Sequence, residues 1–175
     1  MRVIVLSDTH MRDANKAWPD PLADALAGAD YIIHAGDILS PKVLEHLAAY
    51  APVAAVAGNL DQPELQWRLG KRLKLRLGGF VLGVCHGHGT KGRTLERVIT
   101  CFSPDDVDAI IFGHSHIPYC ANHNGVLLFN PGSPTDKRQN TFFSFGVMMI
   151  GETLEAHIVC FDAAGVVRET ITAGT

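Results

Sequence analysis

Residues 2–10 read RVIVLSDTH, and the rest of the chain is organised around this stretch. Residues 3–6 are apolar and mostly β-branched, and the run is too short for a buried helix. It therefore predicts a strand that is buried on both faces, as in a parallel sheet. Asp8 and His10 follow where the strand ends, before a polar loop at 11–15, and this edge is where open α/β sheets bind ligands. If these two side chains form half of a metal site, other parts of the chain must supply the rest.

Four later stretches repeat this arrangement. Apolar runs at 31–34, 53–56, 80–85 and 109–112 each predict a strand. Each strand ends in polar residues, and together these ends supply Asp37, Asn59, His86, His88, His114 and His116. Because the strands of one sheet, or of two facing sheets, place their carboxyl ends along one rim, we expect these side chains to converge.

The remaining pattern divides the chain into an α/β part and a β-rich part. Helical spacing predicts helices at 20–29 and 41–50, so the first three strands form right-handed βαβ units. A further helix is predicted at 94–100, with Thr94 as its N-cap. Residues 72–77 alternate between charged and apolar, which is typical of a half-exposed strand. The last third is predicted to be all-β, with strands near 119–121, 126–129, 142–150, 156–160 and 166–172.

Length and composition predict a single soluble domain over residues 1–175. The chain is 47% hydrophobic and 19% charged, which excludes a disordered protein. Its formal charge of -3 gives no general case for binding nucleic acid or a membrane surface. The four cysteines form no CxxC pair, which argues against a thiolate zinc site and a disulfide framework and indicates a reducing compartment. With no signal-peptide pattern and no apolar run of membrane-spanning length, we expect the protein in the cytoplasm.

The polar clusters have the chemistry of a metal site. Two carboxylates, one amide and several imidazoles suit manganese, iron or zinc better than soft ions. Seven ligands are too many for one ion that must keep a position open, so they indicate two ions about 3.5–4 Å apart with a shared carboxylate. The seven are Asp8, His10, Asp37, Asn59, His86, His114 and His116. Each cluster alone also fits ordinary turn chemistry, and His34 and His46 are expected to be structural or solvated.

The order of the motifs resembles a known family, the calcineurin-like dinuclear metallophosphoesterases. The motifs that carry this resemblance are Asp8-x-His10, Gly36-Asp37, Gly58-Asn59-x-Asp61, His86-Gly87-His88 and Gly113-His114-Ser115-His116. The short chain and the NPGS segment at 130–133 look like the small prokaryotic phosphodiesterase (YfcE-like) branch of that family. The resemblance implies a four-layer α/β/β/α sandwich with the metal site at the carboxyl-terminal rim of its strands.

The resemblance also implies a ligand set and a reaction. The first ion would be held by Asp8, His10, Asp37 and His116, and the second by Asp37, Asn59, His86 and His114, with Asp37 as the bridge. The two divalent ions are expected to be manganese, with iron, zinc or nickel as alternatives. A hydroxide bridging them would attack the phosphorus of a small-molecule phosphoester, so we expect a phosphodiesterase or phosphatase. The candidate catalytic residues are Asn59, Asp61 and His88.

One position departs from the family pattern. In much of the family a histidine follows the asparagine of the third motif and helps to protonate the leaving group, whereas this chain has Leu60. General-acid assistance contributes about 10²–10⁴-fold. We therefore expect either a preference for good leaving groups, such as aryl phosphodiesters, or a metal-bound water as the acid. Asp61 could orient a neighbour or serve only as a turn residue, and His88 could belong to the site or only shape its loop.

Several nearby polar residues allow two interpretations. Lys91 and Arg93 follow the His86-Gly87-His88 motif, where they could contact a phosphate. Ser133 could do the same, although a purely structural turn is favoured for its segment. Residues 136–138 are charged, and a solvated turn is favoured there over substrate recognition.

Two other functions are compatible with parts of this pattern. The same fold resembles a eukaryotic sorting-complex subunit, in which a decayed metal site accompanies a protein-docking surface, so a non-catalytic interaction scaffold is the first alternative. The intact ligand types favour an enzyme. A mononuclear hydrolase such as an amidohydrolase ranks below the scaffold, because members of that class are expected to have a paired HxH motif on the first strand. The expected partner is a small-molecule phosphoester, with neither nucleic acid nor membrane, and exposed strand edges would allow a homodimer.

Overall fold

The computed structural model describes residues 1–12 and 16–173. Its strands are β1 (Arg2–Leu6), β2 (Tyr31–His34), β3 (Val53–Ala55), β4 (Arg72–Leu77), β5 (Phe80–Cys85), β6 (Ala109–Ile111), β7 (Tyr119–His123), β8 (Val126–Asn130), β9 (Phe143–Ile150), β10 (Leu154–Phe161) and β11 (Val167–Thr172). Its helices are α1 (Asp20–Ala27), α2 (Pro41–Ala48), α3 (Pro63–Leu69) and α4 (Thr94–Ile99), with a 3₁₀ helix at Pro104–Asp106. Within the described residues, no helix has the length and apolar character that crossing a membrane requires. The predicted strands are all present, whereas residues 13–15 of the predicted polar loop lie outside the described part.

The strands form two mixed sheets. The first sheet has the order β11-β10-β9-β1-β2-β3, and the second has the order β4-β5-β6-β8-β7. As predicted, β1, β2 and β3 are parallel, with α1 and α2 between them in the chain. On its other side β1 pairs antiparallel with β9, so that Val3 lies opposite Met148. In the second sheet β5, β6 and β8 are parallel, which places their carboxyl ends at one rim.

Three hydrophobic cores separate four layers of secondary structure. The first core lies between α1 and α2 and one face of the first sheet, and it contains Leu26. The second core fills the space between the two sheets and contains Val5 and Phe129. The third lies between α4 and the outer face of the second sheet, where Val98 and Ile110 are buried. The sequence of layers is helix, sheet, sheet, helix, which confirms the predicted four-layer α/β/β/α sandwich.

Strand β1 shows why its sequence is apolar throughout. Ile4 and Leu6 belong to the core under the helices, whereas Val3 and Val5 belong to the core between the sheets. Successive side chains of a strand point to opposite faces, so a strand with a layer on each side needs apolar residues at every position. The edge strand β4 has only one covered face, and its leucines are partly buried while its charged residues are exposed, as predicted.

The predicted N-cap of the fourth helix is wrong by one residue. Arg93 occupies the N-cap position, and its backbone N–H donates to the Glu96 carboxylate at 3.0 Å. Thr94 is instead the first helical residue, and its hydroxyl oxygen accepts a hydrogen bond from Arg97 at 3.1 Å. Because a glutamate in the first turn already satisfies the free N–H of the cap residue, this helix begins without a hydroxyl cap.

The two sheets pack closely at a glycine in β9. We predict that a side chain at this position destabilises the protein. A Cβ atom on Gly146 would lie 2.3 Å from the ring of Phe129. Gly146→Ala should lower the free energy of unfolding by about 1–3 kcal/mol, measured by urea denaturation, because the buried ring cannot move away freely. Gly79→Ala is the matched control, since a Cβ there meets nothing within 4 Å. Equal stabilities for the two variants would contradict this account.

Candidate metal centre

The loops that follow the parallel strands of both sheets meet at one rim, where hydrogen bonds join them. The Asp8 carboxylate, after β1, accepts the backbone N–H of His114, after β6, at 2.9 Å. His86, after β5, donates from Nδ1 to the carbonyl of Ala35, after β2, at 2.7 Å. The expected convergence of strand ends is therefore present, and it brings together residues from the two sheets.

Five of the predicted ligands form two overlapping clusters. Asp8, His10 and His116 have ligand atoms within 4.8 Å of one another, and so do Asp8, Asp37 and His86. Four of these side chains are buried, and His10 is partly exposed at the edge of the cluster. Buried carboxylates that face imidazole nitrogens at this spacing suit a divalent cation.

The two carboxylates lie between the imidazole rings. The Asp37 Oδ2 atom is 3.3 Å from Nε2 of His10 and 3.3 Å from Nε2 of His86. The Asp8 Oδ1 atom is 3.5 Å from Nε2 of His116 and 3.8 Å from Nε2 of His86. Each carboxylate therefore lies between one histidine from each of the two expected ligand sets, and the assignment of Asp37 as the bridge stays a prediction.

Hydrogen bonds fix which nitrogen of each ring faces the carboxylates. His86 and His116 each use Nδ1 to donate to a backbone carbonyl, that of Ala35 and that of Asp136. His10 places Nδ1 2.8 Å from the Asp136 carboxylate. Because these oxygens accept, the three Nδ1 atoms carry protons, and the Nε2 atoms are the ones directed at Asp8 and Asp37. This is the orientation of histidines that bind metal, with the second nitrogen held by an oxygen.

The electrostatics of the cluster favour positive charge. Burial lowers the pKa of His86, but the neighbouring carboxylates of Asp37 and Asp8 outweigh burial and raise it. Burial likewise lowers the pKa of His10, and Asp37 and Asp8 again raise it. Burial raises the pKa of Asp37, but His10 and His86 outweigh it and hold that pKa well below its ordinary range. The Asp37 carboxylate is thus ionised, and either protons on the neighbouring rings or a cation must neutralise its charge.

Two buried polar atoms of the ligand cluster lack hydrogen-bond partners in the part of the chain that the structure describes, and a cation between them would supply the missing interaction. The Asp8 Oδ1 and His86 Nε2 atoms are buried and have no hydrogen-bond partner within the described residues. A buried polar atom without a partner is costly, and a buried charge more so. A divalent ion between these two atoms would satisfy both of them, and the set of nitrogen and oxygen donors is one that such ions prefer.

The backbone of the candidate ligands is unusual. Asp8, His10, Asp37, His114 and His116 all have positive φ, between 48° and 69°. Residues other than glycine rarely adopt this left-handed region, and they cluster there at functional sites. Close packing fixes the turns, since a Cβ on Gly113 would lie 2.6 Å from the Asp8 carboxylate and one on Gly58 2.1 Å from that of Asp37. The glycines of these motifs therefore let neighbouring loops approach the two carboxylates.

Sequence comparison identifies the family. The profile of the Calcineurin-like phosphoesterase superfamily domain matches residues 1–153. The chain belongs to this superfamily. It is 32% identical over 159 residues to a probable metallophosphoesterase of Methanothermobacter thermautotrophicus, covering 91% of this chain and 92% of the relative. The predicted superfamily is therefore confirmed.

Solved structures of this fold include both phosphoesterases and sorting proteins. Wild-type Vps29 of Entamoeba histolytica, crystallised with Zn²⁺, has a TM-score of 0.77 at 24% identity and covers 98% of this chain and 99% of its own. A novel archaeal phosphodiesterase has a TM-score of 0.69 at 22% identity, covering 92% of this chain and 100% of its own. At identities of 24% and 22%, these two structures show a shared fold and do not show a shared function.

Asp61, a predicted catalytic residue, contacts backbone in this phosphoesterase fold. Its two carboxylate oxygens accept N–H groups from residues 37, 38, 39 and 58, at 2.7–3.1 Å. Four donors occupy the carboxylate, which therefore holds the loop of Asp37 against the loop after β3. These bonds make Asp61 a positioning residue for the loop of Asp37, and its catalytic role stays a prediction.

Asp136 was missed by the sequence pattern, which favoured a solvated turn for residues 136–138. That prediction is wrong for Asp136, because its side chain bonds His10 and its carbonyl accepts from His116. Burial raises the pKa of Asp136, but His10 and the cations nearby outweigh it and lower that pKa. The available signal was its place after β8, a strand parallel to β6 that ends at the same rim. Arg138, by contrast, is exposed as expected.

The other predicted site residues surround this cluster. The ring of His114 lies 5.3 Å from that of His86, and the ring of His88 lies 5.5 Å from it. Burial and the neighbouring His86 lower the pKa of both His88 and His114, so these rings are neutral at neutral pH. Asn59 is exposed at the end of its loop. Its role and that of His88 stay predictions.

The remaining candidates are exposed or structural. Lys91 and Arg93 are exposed on the loop after His88. Leu60 is 49% exposed and donates its backbone N–H to Asp37 at 2.8 Å. Ser133 is buried, and its hydroxyl donates to the carbonyl of Asp8 at 2.8 Å, which confirms the favoured structural turn.

Neither His34 nor His46 belongs to the ligand cluster, and the structural interpretation of both is confirmed. His34 is fully buried, accepts the N–H of Gly36 and bonds Thr9 at 3.0 Å. Burial and the neighbouring His86 lower the pKa of His34 to about 3. His46 stacks on Trp18 with ring centroids 5.8 Å apart.

Asp136 should control metal affinity through His10. We expect Asp136→Ala to raise the dissociation constant for a divalent metal about 10–100-fold, because the imidazole loses the acceptor that orients it. Competition with a chromophoric chelator measures this. The control is Asp106→Ala, which removes an exposed carboxylate paired with Lys74 at 2.7 Å. Wild-type affinity in Asp136→Ala would contradict the role of Asp136.

Metal binding should stabilise the protein more at alkaline pH. The raised pKa values of His10 and His86 mean that protons compete with metal above the ordinary value of 6.5. In the metal-free protein these imidazolium–carboxylate pairs stabilise the fold at low pH, and that contribution is lost as pH rises through the raised pKa values. The rise in Tm on adding metal should therefore be larger at about pH 8 than at about pH 6. His34 titrates near 3 and does not contribute in this range. An equal or smaller rise at the higher pH would contradict the prediction.

Proposed function

We propose that this protein is a dinuclear metal-dependent phosphodiesterase. One observation carries the proposal: three histidines, each held through Nδ1, direct Nε2 at the two buried carboxylates of Asp8 and Asp37. A purely structural cluster would not need two buried carboxylates side by side with unpaired buried atoms. Membership of the phosphoesterase superfamily supports the same conclusion.

The proposed ligand set is the one that the family resemblance implies, and the two clusters contain five of its seven members. Asp8, His10, Asp37 and His116 would hold the first ion, and Asp37, Asn59, His86 and His114 the second, with Asp37 shared. We propose manganese, with iron, zinc or nickel as alternatives, because all of these accept mixed nitrogen and oxygen ligands. Such ions, when bound, supply an acidified water and neutralise the phosphoryl oxygens. The zinc in the Vps29 structure supports metal binding at a site of this fold.

The residues of this chain would position the substrate and its charges. The hydrolysis replaces one P–O ester bond by a bond to the oxygen of water, and the leaving group departs as an alcohol. The His88 ring lies 5.5 Å from that of His86, and Asn59 precedes Leu60, whose N–H bonds Asp37. We propose that Asn59 and His88 contact the phosphoryl group. Lys91 and Arg93 supply exposed positive charge on the adjoining loop. Leu60 cannot donate a proton, so good leaving groups should react faster.

The test compares hydrolysis by the wild type and a variant of the shared carboxylate. After removal of metal and reloading with manganese, the wild type should hydrolyse bis(p-nitrophenyl) phosphate faster than p-nitrophenyl phosphate. Asp37→Asn should lower kcat about 10³-fold or more, since several kcal/mol of charge stabilisation is lost. Asp105→Asn, at an exposed position in the 3₁₀ helix, is the control.

The same experiment separates the enzyme from the alternative. The alternative function is a non-catalytic interaction scaffold, and the sorting proteins among the structural neighbours are the reason to test it. A folded, metal-loaded wild type that hydrolyses neither ester faster than Asp37→Asn would refute the enzyme and favour the scaffold. Reloading with zinc, iron or nickel in parallel identifies the metal that supports the highest rate.

A further inference from the structure

An apolar groove opens beside the ligand cluster and is not explained by the fold. Its volume is about 570 Å³, and its walls include Leu95, Phe112, Ile117 and Tyr119. Ile117 is 56% exposed, although isoleucine is among the residues most often buried. A volume of this size lies in the range of small-molecule sites.

The groove adjoins segments that carry predicted ligands of the candidate metal centre. On one side it begins at Gly89, the residue after His88, and on the other at Ser115, which lies between His114 and His116. Both walls are therefore direct extensions of the segments that carry predicted ligands. A molecule bound at the metals through one end would place its other end against this surface.

One wall of the groove is fixed by an arginine. Arg97 donates from Nε to the carbonyl of Gly87 at 2.9 Å and from Nη1 to the carbonyls of both Lys91 and Gly92. These bonds hold the loop around His88 against α4. The wall is thus preorganised, which lowers the entropic cost of binding a ligand there.

The charge and shape of the lining indicate the chemistry of the occupant. Arg93 forms no ion pair with any residue in the ranges 1–12 and 16–173, so its guanidinium is available to an anion. The rings of Phe112 and Tyr119 lie 6.3 Å apart with a tilt of 54°. Tilted aromatic rings and a guanidinium both favour a planar aromatic group.

We infer that this groove binds an aromatic substituent of the phosphoester substrate while the phosphoryl group lies at the metal centre. This inference rests on the proposed function and adds a substrate class to it. The aromatic ring would pack against Ile117 and Tyr119, and Arg93 would lie near the phosphoryl charge. The preference for aryl esters would then have a binding component as well as the leaving-group component.

The test uses two phosphonates that cannot be hydrolysed, phenylphosphonate and methylphosphonate, with the manganese-loaded protein and calorimetry. The wild type should bind phenylphosphonate at least about tenfold more tightly than methylphosphonate, because burying a ring removes a large apolar area from water. Ile117→Ser should reduce that ratio about three- to tenfold and leave methylphosphonate binding unchanged. Arg93→Gln should weaken both ligands equally and keep the ratio.

The matched control is a variant of an exposed apolar residue outside the groove. Val166→Ser removes a similarly exposed apolar side chain, 46% exposed, from a turn that does not line the groove, and it should leave both affinities unchanged. If the protein hydrolyses phosphodiesters but binds the two phosphonates equally, or if Ile117→Ser keeps the wild-type ratio, the aromatic groove is refuted and the phosphoesterase stands. If the loaded protein neither binds a phosphonate nor hydrolyses an ester, both proposals fail together.

Discussion

The rim of this sandwich is organised by the need to neutralise two carboxylates that are buried side by side. Asp8 has no exposed surface and Asp37 has 2%, so water cannot screen either charge. In a region of low dielectric, a carboxylate without a counter-charge is expensive, and two neighbours repel each other. The imidazole rings of His10, His86 and His116 surround them for this reason. The same arrangement that costs folding free energy without a cation becomes a strong binding site with one.

A second set of bonds holds the carboxylates and rings in place, and most of it comes from backbone groups. Asp61 gathers four N–H groups around the turn that carries Asp37. Ser133 bonds the carbonyl of Asp8, and Asp136 supplies acceptors to two of the rings. Residues that never touch an ion or a substrate therefore determine the positions of those that would. Such support maintains the positive φ values of the ligand residues, which a free loop would not adopt.

The fold also explains how one architecture can occur in both phosphodiesterases and vacuolar sorting proteins. The rim is built at the junction of two sheets, and the layers behind it are held by three separate hydrophobic cores. The apolar cores that hold the layers together do not include the carboxylates and histidines of the rim, so the rim can change while the layers persist. Fold likeness to sorting proteins is accordingly weak evidence about function, whereas the chemistry of the rim is strong evidence.

Local sequence determined the strands, the helices, the order of the polar motifs and the chemistry of the site. The apolar run at 3–6 is enough to predict a buried strand, and the position of Asp8 or His114 just after such a run predicts that it lies at a strand end. The tertiary structure alone decided which distant groups meet. The bond between His10 and Asp136 joins residues 126 positions apart, and the pairing of β1 with β9 spans a similar distance. Periodicity carries no information about such partners, because they are selected by how the layers pack, and this is why the role of Asp136 and the groove beside His116 became visible only in three dimensions.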